Sequence, residues 1–183
     1  MLRAMERGFI FTSGFAKGSD IASTQFALKH KQPTIVCMPS GFKFTYPKVH
    51  ELYVQAVLDA GGLLLSEYPP DVSIYGDGPN DFKKQFLLNR NRVIVATACA
   101  VLVCESSEIS GTKNCINHAL KNKRPIGLMG PYKDYTPPQY HHKVAQNHDC
   151  VLINSKDTLD DFFTRAEATS KVLQYAKYCL GAI

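Results

Sequence analysis

The sequence predicts an α/β fold, a Rossmann-like parallel sheet flanked by helices. Three observations carry this. Apolar runs of four to seven residues alternate with stretches of helical period from about residue 8 to 130. The runs, such as "TIVCMP" and "AVLVCES", are unbroken rather than alternating, as in strands covered on both faces. Strand and helix come in turn, which implies right-handed crossovers and parallel pairing.

In order, "GFIFTS" (8–13) reads as a strand and "SDIASTQFALKHK" (19–31) as a helix, followed by the strand "TIVCMP" (34–39). "VHELYVQAVLDA" (49–60) spaces its apolar residues as a helix does, and Gly61-Gly62 stops it. "LLLSEY" (63–68) is the third strand. After a Pro/Gly/Asp loop, a helix is expected near 81–97. "AVLVCES" (100–106) and "PIGLMG" (125–130) flank the helix "TKNCINHALKNK" (112–123). A loop is expected from Pro131 to about Asp149, then a strand in "CVLIN" and a terminal helix from about Thr158, capped by Asp157-Thr158. Residues 1–150 form the core domain in this reading, and 151–183 a strand and helix packed on it.

The 183 residues are 45% hydrophobic and 20% charged, enough for one core. Lys plus Arg number 21 against 16 acids, and the whole excess of +5 lies before residue 151. That balance suits a nucleotide or nucleic-acid partner without demanding one. Six cysteines show no C-x-x-C pair and six histidines no metal-finger spacing, so neither a metal nor a cofactor is expected. No apolar run reaches the roughly 20 residues of a membrane span and no signal peptide is visible, so a cytoplasmic location is expected.

Ligands of open parallel sheets bind at the carboxyl ends of the strands. The first such loop is "TSGFAKGSD", where Ser13, Gly14, Lys17 and Gly18 offer hydroxyl, close backbone approach and charge to an anion. It reads equally as a plain turn, with Asp20 favouring the helix start. The second, "PSGFKFTYPKVH", repeats a glycine and lysine in Gly41 and Lys43. Phe42 and Phe44 beside that charge resemble a base-stacking surface, although Phe44 and Tyr46 also suit loop packing.

Glu67, after the third strand, is a candidate acceptor from ribose or base, or a pin for a neighbouring loop. Arg90 and Arg92 stand two apart on a helix and diverge, so one is expected at the ligand and the other in an ion pair. Ser110, Gly111, Thr112 and Lys113 open a helix as a second phosphate-type terminus. Two such loops on one sheet point to an anionic ligand.

In this order the loops resemble the DprA/Smf family of DNA-processing proteins. The family's S-G-x-A-x-G-x-D appears as "SGFAKGSD" and its L-L-S-E-x-P-P as "LLSEYPP". Its Gly…Tyr-Pro loop appears as "SGFKFTYP", its Arg-Asn-Arg run as "RNRVIVA", and its strand, Glu and Ser-Gly as "VLVCESSEISGT". The resemblance runs from about Gly8 to Pro131. It implies an extended Rossmann core that binds single-stranded DNA without catalysis, dimerises, and assists a RecA-type recombinase. Lys17 stands where the family has a DNA-contacting Arg, which keeps charge and loses the bidentate fork. "MLRAMERGF" resembles only the end of the family's first helix, so the strand and anion loop that open the family core are expected to be absent.

Two other readings use the same sheet. One is a nucleotide sensor or sequestering module. The other is a phosphoribohydrolase similar to the lonely-guy enzymes, whose P-G-G-x-G-T-x-x-E needs a glutamate. Here "SEISGTKNCI" has Cys115 at that position, which argues against hydrolysis.

Overall fold

The computed structural model describes residues 1–75, 80–131, 135–173 and 179–182. A five-residue helix α1 (Leu2–Glu6) precedes β1 (Ile10–Ser13), α2 (Ser19–Lys29) and β2 (Thr34–Cys37). A 3-10 turn (Lys48–Tyr53) runs into α3 (Val54–Asp59), then β3 (Leu63–Leu65), α4 (Asn80–Thr97) and β4 (Ala100–Val103). After these come α5 (Gly111–Lys121), β5 (Ile126–Met129), α6 (Gln139–Asn147), β6 (Val151–Ile153), α7 (Lys156–Leu173) and β7 (Cys179–Ala182). All seven strands join one parallel sheet in the order β3-β2-β1-β7-β4-β5-β6.

Helices cover both faces, which is why the strands are apolar throughout. On one face Phe9, Phe11 and Ala100 pack with Ala4 of α1 and with Phe162, Phe163 and Ala166 of α7. On the other, Val101, Val103, Ile126 and Leu128 meet Ile94 and Val95 of α4, Ile116 and Ala119 of α5, and Val144 of α6. Each fully buried Phe, Leu or Ile among them contributes about 1.5–3 kcal/mol of transfer free energy. Gly127 of β5 leaves room for Phe162, whose ring would lie about 3.0 Å from any Cβ placed there.

Several expected boundaries shift, for local reasons. β3 stops at Leu65 because Ser66 leaves the ladder: its hydroxyl donates to the Ser40 carbonyl at 2.8 Å and accepts from the Tyr68 N–H at 3.0 Å. The helix expected over 49–60 is split into the 3-10 turn and α3. Of the Pro/Gly/Asp loop, residues 76–79 lie outside the described residues, as do 132–134 of the expected 131–149 loop. That second loop contains α6, whose sequence hides it because only His141 and Val144 form its buried stripe. α7 begins two residues earlier than expected, since the Ser155 hydroxyl accepts the Thr158 N–H at 3.2 Å.

The largest correction concerns the sheet's centre. β7 lies between β1 and β4, with Phe11 level with Leu180 and Val101 level with Gly181. The C-terminal segment, expected to add one strand and one helix packed on the core, therefore also supplies the central strand of the sheet.

Candidate nucleic-acid interface

At the carboxyl ends of β1 and β4 two loops face each other across a cavity of about 910 Å³. The first, Gly14–Gly18, is held from below. The Asp20 carboxylate accepts the Gly14 N–H at 2.8 Å and the Ala16 N–H at 3.2 Å. Burial pushes this carboxyl above the usual range, while Arg90 and the two amides pull it back. Arg90 donates from Nη1 to the Gly14 carbonyl. A methyl group on residue 14 would overlap the Arg90 guanidinium and displace it from its buried place. The left-handed backbone falls instead on Gly18 (φ 91°) and on the fully buried Phe15 (φ 63°).

The second loop ends in the N-terminus of α5. The Ser110 hydroxyl accepts the Lys113 N–H at 3.2 Å and donates to the Ser107 carbonyl at 2.9 Å, a helix cap. Gly111 and Thr112 follow on the cavity wall, their N–H groups without intrahelical acceptors. Lys17, Lys84 and Lys113 also line the cavity. Lys17 and Lys84 make no ion pair among the described residues, and the Lys113 ammonium lies 6.0 Å from the centre of the Tyr140 ring. Of the two cavity carboxylates, Asp20 is spent on the loop and Glu108 pairs with Lys143, which lowers its pKa. Three ammonium groups thus line the cavity, two of them, Lys17 and Lys84, without an ion pair among the described residues. Leu87, Leu88 and Ile94 give the same cavity an apolar wall.

The structure brings together Lys17, Ser110, Gly111, Thr112, Lys113 and Arg90, with Gly14 and Ser13 beneath them. Ser13 is fully buried, and Arg90, 6% exposed, is occupied with backbone carbonyls rather than open to a ligand. Gly18 is exposed at the head of α2. Other expected residues lie off the cavity wall. Gly41 is packed under the Pro69 and Pro70 carbonyls, and Lys43 pairs with Asp71. Phe42 is exposed elsewhere on that loop and Phe44 is half-buried. Glu67 holds Arg92 at 2.6 Å, so the ion pair expected of one arginine belongs to Arg92. Lys84, Tyr46, Asn91 and Asn114 at the cavity were not assigned from sequence. Helical spacing carried the signal: Lys84, Leu87, Leu88 and Asn91 recur on one face of α4.

Cys115 lies at the cavity's edge, where a lonely-guy hydrolase would need its glutamate. It is 2% exposed, and burial pushes its thiol up to about 12. A protonated, buried thiol supplies neither base nor nucleophile near pH 7.

The family model for DNA recombination-mediator protein A matches residues 2–162. The chain belongs to that family. Over 163 residues it is 28% identical to DNA processing protein DprA of Streptococcus pneumoniae, covering 88% of this chain and 54% of that protein. Over 126 residues it is 32% identical to Protein Smf of Escherichia coli, covering 68% of this chain and 32% of Smf. It therefore spans about half or less of these relatives' lengths. Among solved structures, S. pneumoniae DprA superposes with a TM-score of 0.68 at 24% identity, over 87% of this chain and 53% of that one. Helicobacter pylori DNA processing protein A, described for its single-stranded DNA binding mode, gives 0.67 at 22% identity, over 95% of this chain and 71% of that one. The DprA-type Rossmann fold is thus confirmed, β7 lying beyond the family match.

Proposed function

We propose that this DprA-family chain binds single-stranded DNA in the cavity between the β1 and β4 loops, as a non-catalytic component of DNA processing. One observation carries the reading: three lysines and a helix N-terminus line a cavity that also has an apolar wall. Phosphates suit the first and unstacked bases the second. The family supports the same reading. Engagement of a RecA-type recombinase and self-association rest on the family resemblance alone; sedimentation with and without an oligonucleotide reads the latter.

The test is titration of labelled oligo-dT at several salt concentrations. Three phosphate contacts on a single strand give a log–log slope of about −2. Lys17→Ala and Lys113→Ala should each flatten that slope by about 0.7 without changing the melting temperature. A compact nucleotide as the true ligand would show as tight, nearly salt-independent binding of that nucleotide and weak binding of oligo-dT. Absence of oligo-dT binding above micromolar affinity at low salt overturns the reading.

A further inference from the structure

Arg90 and Asn91, consecutive on α4, are 6% and 5% exposed and join the two loops through a chain of hydrogen bonds. Arg90 Nη1 donates to the Gly14 carbonyl and, at 3.5 Å, to the Cys37 carbonyl at the end of β2. Arg90 Nε donates to Asn91 Oδ1 at 3.3 Å. Asn91 Nδ2 then donates to the Gly111 carbonyl at 3.2 Å and to Asn114 Oδ1 at 3.3 Å. Adjacent residues on a helix point about 100° apart, which lets one reach the β1 loop while the other reaches α5. Gly14 of the first loop and Gly111 of the second are thus linked by two side chains, with Asp20 fixing Gly14 from its other side.

We propose that Arg90 and Asn91 are positioning residues that hold the two loops at a fixed spacing, so that Lys17 and Lys113 engage successive phosphates of one strand cooperatively. This rests on the single-stranded DNA reading. A fixed spacing makes the second phosphate contact intramolecular once the first has formed, and that advantage exists only for a ligand with linked phosphates. Asn91 is the residue on which the coupling depends. Its oxygen serves the β1 side and its nitrogen the α5 side, so the two functions are separable by substitution.

The experiment is a double-mutant cycle on the full chain, with oligo-dT affinity and thermal melting read together. In the parent, Lys17→Ala and Lys113→Ala combined should weaken binding by less than the product of the single effects, short by about threefold or more, because either substitution alone already removes the linked contact. In the Asn91→Asp background the Arg90 partner is kept and the donors to Gly111 and Asn114 are lost. There the two lysine effects should multiply, with a cooperative melting transition retained at a lower temperature, since a carboxylate oxygen now faces the Gly111 carbonyl. Asn91→Ala, which removes both sides, should also give multiplying effects. Lysine effects that already multiply in the parent overturn the proposal, and so does a coupling that survives unchanged in the Asn91 variants. A parent chain that does not bind oligo-dT instead overturns the DNA reading, and shows as absent binding rather than as independent lysines.

Discussion

At the scale of single residues, Gly14 and Gly111 look alike in sequence and differ in the fold. A Cβ at Gly14 meets the Arg90 guanidinium, whereas at Gly111 nothing lies within 4 Å. Gly14→Ala should therefore cost about 1–3 kcal/mol in urea unfolding, as overpacking does. Gly111→Ala should stay within about 0.5 kcal/mol of the parent. Cys115 gives a second prediction. With its thiol pushed up to about 12 by burial, it should remain unalkylated by iodoacetamide in the native chain at pH 8, as read by peptide mass spectrometry. The glycine pattern was legible because glycine is rare enough to mark a turn. Which glycine faces open space and which packs against a guanidinium was not, since Arg90 comes from a helix 76 residues away.

At the scale of elements, α1 has five residues and is too short to persist alone. It is held by tertiary contacts: Arg3 grips Asp160 of α7 with Nε at 3.1 Å and Nη2 at 2.8 Å, and Arg7 reaches Glu167 at 3.1 Å. The Arg3 hydrogen bond lowers the Asp160 pKa below its usual 3.8. A depressed carboxylate stabilises the fold above its unfolded pKa, and this is lost as pH falls through the folded value. At pH 7 the parent should need more urea to unfold than Asp160→Asn, and the gap should close in acid as pH falls below 3.8. α6 and the early start of α7 were not legible. Both depend on which few residues find a core or a cap, and composition averages over those.

For the whole molecule, β7 is the element to test. Gly181 lies level with Thr12 on one side and Val101 on the other, in the middle of the sheet. Proline there removes a ladder donor from a central strand. Gly181→Pro should lower the melting temperature and, because the loops after β1 and β4 flank this strand, weaken oligo-dT binding as well. If both are unchanged, β7 does not brace the sheet.

By itself the sequence determined the α/β alternation, the strands buried on both faces, the family and the two glycine loops at the carboxyl ends of the strands. These follow from local periodicity and from short motifs whose backbone chemistry is self-contained. The tertiary structure alone decided that the C-terminal strand fills the sheet's centre, that Arg90 faces inward and Arg92 pairs with Glu67, and that Lys84 joins Lys17 and Lys113. Each of these depends on which distant segments meet, and a ladder partner or an ion pair is chosen in space rather than along the chain.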